Sequence, residues 1–349
     1  MKELSIVVPA YNSEKFLHIC LDSMVGLDDR LEVIVVNDGS KDNTLQVANT
    51  YVERFPDQVA VIDKENGGHG SGINAGLEVA KGRFFKVVDS DDWIESDNLP
   101  LILNALELSD ADVVVTGYKS VNIGSGNVIE YPVLLPSGEK TEWEQKYGAE
   151  ISMEKFSLIF SQMATSYGFH GLCYRTDFLR SMDFRMSEKV YFEDQEYAVL
   201  PFLRVNKILL LPYFLYDYQI GNVNQSVDYK NQAKRANDLK QVYTKMMDYY
   251  HFNKPVDEYR RHFFRKRLSI SLVSYYATVL VKNTDKRNGR KEAEGLRIYV
   301  KHLEPDIQQY AEGRYQLMKL ASYFPFVGKL YYKLFDSKYY TKFKKTWNK

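Results

Sequence analysis

Cysteine is nearly absent from the 349 residues: only Cys20 and Cys173 occur. Two thiols cannot make a disulfide framework, which fits a reducing compartment and makes the cytoplasm the expected location. Long apolar runs are missing too. The longest candidate, LSISLVSYYATVLV at 268–281, falls short of the roughly 18 residues of a spanning helix. The opening MKELSIVVPAYN offers no signal-peptide core, because its apolar run stops at Pro9. There is no internal repeat and no low-complexity tract, which leaves ordinary globular domains. Net charge is absent overall, with 46 Lys+Arg against 46 Asp+Glu, yet the balance is split. Residues 226–349 hold 27 basic against 12 acidic residues, so residues 1–225 hold 19 against 34. Such asymmetry divides the chain into regions 1–225 and 226–349 and points the second toward an anionic partner.

What is present in the first region is an alternation of strand and helix patterns. LSIVVPA, LEVIVVND, VAVIDK, RFFKVVDS and ADVVVTGY read as strands. Between them, SEKFLHICLDSMV, DNTLQVANTYVERF, GSGINAGLEVAKG and NLPLILNALELS carry helical spacing. Near-continuous Val/Ile runs are typical of strands covered on both faces, so the expected class is α/β: an open, mostly parallel sheet flanked by helices. In such sheets ligands bind beyond the carboxyl ends of the strands. There the sequence has PAYN, NDGSKDN, KENGGHGSG and DSDD, four polar or acidic ends converging on one edge.

The last of these is the most demanding. FFKVVDSDDWIESDN runs a strand into Asp89, Asp91 and Asp92. Like charges so close repel by about 1 kcal/mol per pair in water, and by more when partly buried. A divalent cation would compensate them, although surface acids after a strand are also common. A dinucleotide-binding reading of GHGSGINAG fails on order, since that fingerprint belongs to the first strand–helix turn and here follows the third strand.

With these pieces assembled, the chain resembles the inverting family 2 glycosyltransferases of GT-A fold, in particular those building bacterial cell-surface polysaccharides. The matching stretches are SIVVPAYN, VIVVNDGSKDNT, ENGGHGSGINAGLEVAKG, FKVVDSDDW and YFEDQEYAV, over roughly residues 3–225. The resemblance implies transfer of a sugar from a nucleotide-diphosphate donor, most often UDP-linked, to an acceptor hydroxyl. It implies that Pro9, Tyr11 and Asn12 line the nucleotide base, with Tyr11 available to stack, and that Asp38, Asn66, Gly67 and Ser90 complete the nucleotide contacts. It makes Asp89 and Asp91 the two acids of a DXD motif that holds Mn²⁺ or Mg²⁺. It makes Asp194 the catalytic base, paired with Glu193. One departure stands out: Ile73 replaces an arginine that often holds the diphosphate, and His69, Lys64 or backbone N–H groups are the candidates to substitute.

The chemistry has independent use for such groups. A hard cation on carboxylates stabilises charge on a diphosphate leaving group. A positioned carboxylate can take the proton of an attacking hydroxyl, typically worth about 10²–10⁴-fold. Plainer readings exist beside these. FEDQEY could be an ordinary acidic helix start, Asp92 reads as a cap for a helix after Trp93, Trp93 as packing, and His170 as either a structural histidine or a site group. A catalytically silent nucleotide-sugar scaffold and a nucleotidyltransferase are the alternatives. Intact DSD and FED argue against the first, and the lack of a basic glycine-rich loop after the first strand argues against the second.

The second region is helical in pattern and rich in Tyr. Its last 36 residues, 314–349, hold nine Lys/Arg against one acid, Asp336, and eleven aromatic residues. Tyr331, Phe335, Tyr339, Phe343 and Trp347 recur every four residues. This composition suits an anionic membrane surface at the inner face of the cell membrane, or a packing stripe or homo-oligomer contact; nucleic acid is the least favoured partner. The partners expected overall are a UDP-sugar donor and a carbohydrate or lipid-linked acceptor.

Overall fold

The structure, a computed structural model, describes residues 1–136, 138, 141, 144, 147–163, 168–221 and 233–324, with the backbone only at 161–163. It divides into two compact units, Met1–Asn222 with Asp257–Arg260, and Val223–Val256 with Arg261–Lys349. The segments 222–232 and 325–349 lie outside the described residues, and most of the basic aromatic stretch expected to meet a membrane or a second copy falls there. Among the described residues, no helix is long and apolar enough to cross a membrane.

The first unit is built on a ten-stranded sheet. Strands β1 (Leu4–Ala10), β2 (Leu31–Asp38), β3 (Val59–Lys64) and β4 (Phe84–Val87) pair in parallel in the order β3-β2-β1-β4. Every residue of β1, β2 and β4 is buried, which is why these strands read as unbroken apolar runs. Helices α1 (Leu17–Asp22), α2 (Thr44–Arg54) and α3 (His69–Val79) connect them. The first is shorter than its pattern, although Leu17, Cys20, Leu21 and Met24 are all buried as the spacing requires. Helix α3 lies so close to the sheet that a Cβ on Gly76 would stand 2.4 Å from Val7 Cγ1.

After β4 the sheet becomes mixed. The elements are β5 (Trp93–Ile94), α4 (Leu99–Glu107), β6 (Val113–Asn122), β7 (Val128–Tyr131), β8 (Ala149–Ser152), α5 (Met153–Met163), β9 (Leu172–Arg175), α6 (Thr176–Ser181), α7 (Asp194–Val199) and β10 (Lys207–Ile220). Strand β9 inserts antiparallel between β4 and β6. The long β10 runs parallel to β6 and antiparallel to β5 and β8, with register shifts between Leu210 and Phe214 and again before Tyr216. Pro212 lies in that interval, and a residue without an N–H cannot keep the ladder. The bulge turns Tyr216 inward, where it is fully buried.

The second unit contains α8 (Ala236–Phe252), most of α9 (Glu258–Tyr276), a π-helical turn at Ala277–Lys282, α10 (Lys286–Leu303) and α11 (Pro305–Ala321). Its core is aromatic and thioether-rich: Tyr243, Met246, Met247, Tyr250, Tyr276, Tyr315 and Met318 are buried. Tyr276 donates to Gln308 Oε1 at 2.7 Å, satisfying a buried hydroxyl. Tyr323 is covered on one face by the Arg290 guanidinium at 4.2 Å, so the start of the basic aromatic stretch takes part in packing.

Candidate active site

The carboxyl ends of β1, β2 and β4 lie side by side, and the turns that leave them are tied to one another. Asn12 adopts a left-handed conformation, φ 53°. Its N–H donates to Ser40 Oγ at 3.0 Å, and its side-chain oxygen accepts from Lys41 N–H at 2.8 Å. Neighbouring Tyr11 is 51% exposed, with its ring open to a ligand. Ser13 and Ser90 share a hydroxyl–hydroxyl hydrogen bond of 2.7 Å, joining the first turn to the acidic one. Pro9, the penultimate residue of β1, abuts α3, where a Cβ on Gly72 would lie 3.0 Å from its Cβ.

Asp38 ends β2 buried, and its carboxylate is fully engaged. It accepts from Gly67 N–H at 2.9 Å, Gly68 N–H at 2.8 Å and Lys64 Nζ at 2.7 Å, while Asn66 Nδ2 donates to its carbonyl at 2.9 Å. Asp38, Asn66 and Gly67 thus form one bonded loop across the start of α3. Gly39 belongs to it: its φ is +70°, and a Cβ there would lie 2.8 Å from Asn66 N.

The acidic turn after β4 is built from inside the sheet. Asp89 N–H donates to the Tyr216 hydroxyl at 3.1 Å, and that hydroxyl donates to Asp92 Oδ2. Gln219 N–H donates to Asp92 Oδ1 at 2.7 Å. Asp92 therefore does not cap a helix after Trp93, because Trp93–Ile94 is a strand held on β10 and the carboxylate turns into the sheet. Burial, with Asp89 and Asp91 beside it, pushes its carboxyl well above the ordinary range. Asp91 is half-buried, and burial together with the charge of Asp89 raises it to about 6.

Asp89, Asp92 and His170 bring one ligand atom each within 4.8 Å of one another, the one such grouping of three among the described residues. The His170 ring stacks on Tyr218 at 4.5 Å and meets the edge of Tyr216 at 4.8 Å. Burial lowers it to about 4, so it is a neutral imidazole at pH 7, the form that ligates metals. Two carboxylates and a neutral imidazole form a donor set that fits a divalent cation, and Asp91 stands beside it as a further carboxylate. Beneath the site Lys86, fully buried on β4, donates to the carbonyl of His170 at 2.7 Å, and burial lowers it to about 8.

The late acids reach this place through a segment laid over the start of α3. Asn74 exchanges hydrogen bonds with the backbone of Met186, at 3.1 and 2.8 Å. Lys189 N–H donates to Gly67 O at 2.8 Å, and fully buried Glu196 accepts from Ser187 N–H at 2.9 Å and Oγ at 2.6 Å. Gly70 makes the approach possible, since a Cβ on it would stand 2.1 Å from Ser187 O. Phe192 takes φ +72°, an uncommon conformation for an aromatic residue, just before Glu193 and Asp194 open α7. Asp194 is half-buried, and burial with the neighbouring Glu193 charge raises it to about 7.

Between early and late acids stands His69, the first residue of α3. Its Nε2 is 2.9 Å from Asp89 Oδ1 and its Nδ1 is 2.7 Å from Glu193 Oε1. Burial opposes the imidazolium, but Asp89 and Glu193 outweigh it and hold the ring well above its ordinary value. Ile73 is buried in the core, Lys64 is bonded to Asp38 and His69 to the acids. Asp92, His170, Tyr216 and the His69 bridge were not assigned from sequence. Of these, Asp92 carried a signal as part of the acidic cluster DSDD, and His170 as an isolated polar residue in the apolar stretch YGFHGLCY.

The family described as "Glycosyl transferase family 2" matches residues 5–175. Poly(ribitol-phosphate) beta-N-acetylglucosaminyltransferase TarS of Staphylococcus aureus is 30% identical over 222 residues, 62% of this chain and 35% of the relative. Putative glycosyltransferase EpsH of Bacillus subtilis is 25% identical over 298 residues, 84% of this chain and 81% of the relative. The aligned part of this chain thus spans only about a third of TarS, a fraction of 35%. The crystal structure of S. aureus TarS 1–349 in complex with UDP-GlcNAc superposes with a TM-score of 0.65 at 20% identity, covering 91% of each chain. That likeness is one of fold, and it is the GT-A fold.

Proposed function

We propose that this chain, which belongs through its residues 5–175 to glycosyl transferase family 2, transfers a sugar from a UDP-linked donor to an acceptor hydroxyl with inversion at the anomeric carbon. The observation that carries the reading is the meeting of Asp89 and Glu193, acids distant in the sequence of the first unit, on the ring of His69. A strand-end carboxylate cluster suited to a metal–diphosphate thereby stands beside a carboxylate pair suited to proton transfer.

The nucleotide would lie over the ends of β1 and β2, with its base on exposed Tyr11 and along Pro9 and Asn12. Asp38, Asn66, Gly67 and Ser90 are the remaining contacts, and Asp38 would act through the loop it ties as much as through a free oxygen. Asp89 with Asp91, or with Asp92 and His170, would hold Mn²⁺ or Mg²⁺, which would supply charge stabilisation for a diphosphate leaving group. Asp194 receives the acceptor hydroxyl's proton as that oxygen bonds to the anomeric carbon and the bond to the diphosphate breaks. A carboxyl raised to about 7 is a better base near neutrality than an ordinary aspartate. Glu193 shapes that charge. The single displacement accounts for inversion.

The acceptor we assign is a hydroxyl of a cell-surface polysaccharide or lipid-linked glycan; the name of TarS, which gives poly(ribitol-phosphate), supports a polymeric acceptor. The basic residues 314–349 we assign to an anionic membrane surface, on their composition alone. The test is UDP release from a panel of UDP-, GDP- and TDP-sugars with Mn²⁺ or Mg²⁺, together with Asp194→Asn. The variant should lose turnover and keep UDP affinity within about threefold, the pattern of a lost transition-state contact. Turnover near that of the wild type would remove Asp194 from the mechanism.

A further inference from the structure

We propose that His69 is a positioning residue that joins the cation side of the site to its proton-transfer side. The inference rests on the reading above and assigns a role to the ring on which its two acids meet. Both ring nitrogens are committed, one to Asp89 and one to Glu193. Each ring nitrogen lies within hydrogen-bond distance of a carboxylate oxygen, at 2.9 Å for Asp89 and 2.7 Å for Glu193, so the ring is a two-ended clamp between an acid that follows β4 and an acid that opens α7.

The clamp itself has little freedom. His69 follows Gly68, whose φ of +85° sets the entry to α3, and a Cβ on Gly68 would lie 3.0 Å from Lys189 N. It precedes Gly70, which contacts Ser187. The Glu193 side chain is only 5% exposed, and among the described residues His69 is the hydrogen-bond partner of its carboxylate. Fixing Glu193 fixes the entry of α7, and with it Asp194. The Asp89 side chain, by contrast, is 28% exposed. The contact with Glu193 is thus the more shielded of the two, so the ring's larger contribution falls on the proton-transfer side.

The experiment compares full-length wild type, His69→Ala and His69→Gln. It measures UDP release from the nucleotide sugar that turns over, Mn²⁺-supported UDP binding by calorimetry, and melting temperature. His69→Ala should lower kcat on the order of 100-fold while leaving donor KM and UDP Kd within about threefold, and His69→Gln should keep more activity because it retains one bond. Added imidazole should restore about a tenth or more of the lost rate to His69→Ala. A kcat unchanged by His69→Ala overturns the proposal. So does a fall in UDP affinity matching the fall in kcat with no response to imidazole, the signature of general damage. If His69→Ala does not fold, His69→Gln decides by the same split between kcat and KM. A wild-type protein that releases UDP from no donor refutes the transferase reading instead, and is thereby told apart.

Discussion

The Tyr216 hydroxyl donates to Asp92 Oδ2 and accepts the N–H of Asp89, so one phenol inside the sheet fixes both ends of the acidic turn. Tyr216→Phe keeps the ring and removes both bonds. A buried carboxylate that loses one of its two donors costs about 1–3 kcal/mol. The expected result is a loss of that size in denaturant unfolding and a drop of about 10–100-fold in Mn²⁺-supported UDP binding. Unchanged binding in calorimetry would show that the turn holds without the hydroxyl.

Asp91→Ala should weaken Mn²⁺-dependent binding of UDP far more than binding of uridine. A carboxylate acting through a cation reaches the phosphates and not the base. Equal losses for the two ligands would contradict its place in the metal–diphosphate group.

Asp217 makes stability depend on pH. It is 3% exposed, its Oδ1 has no hydrogen-bond partner, and burial with Glu95 beside it raises it to about 7. The folded protein keeps this proton up to about pH 7, whereas the unfolded chain releases it near the ordinary 3.8. The fold therefore binds the extra proton across that window, and its stability falls as pH rises from about 4 to 7. Asp217→Asn should flatten this decline, seen as a smaller difference in melting temperature between pH 5 and pH 8. A wild-type profile in the variant would assign the slope to other groups.

Gly70→Ala sets a methyl 2.1 Å from Ser187 O and must push the late-acid segment off α3. Overpacking of this kind costs about 1–3 kcal/mol. Turnover should suffer more than UDP binding, because Glu193 and Asp194 move while Asp38 and Tyr11 stay. Equal loss of both would mean that the displacement spreads across the nucleotide loop.

Much of this was legible in the chain. Strands buried on both faces announce themselves by composition, and the acids at their carboxyl ends are visible because strand ends are easy to find. Asp89 and Asp91 stand at such an end, just beyond β4. Asp92 was misread because its partners, Tyr216 and Gln219, lie on a strand over a hundred residues away, and no local pattern ties a carboxylate to a distant phenol. His69 as a bridge was equally hidden: only the fold brings Glu193 to it. The insertion of β9 between β4 and β6 left no periodic trace, since a four-residue antiparallel strand reads as a short apolar run.

That insertion has a consequence for how the protein is made. During synthesis β6 is complete by residue 122, yet both its neighbours in the main sheet, β9 and β10, are still to come. At about 5–20 residues per second, an apolar strand waits several seconds with its main-chain edges exposed, save for what the short β7 covers. Through that interval β3-β2-β1-β4 can close as a sheet of its own, while β6 is a sticky ribbon attached to it. A chain released before residue 220 would be left in that state, open to pairing with another copy of itself. The strand that completes the sheet is also the one that delivers Tyr216 to the acidic turn, so the covering of β6 and the tying of that turn coincide in the growing chain.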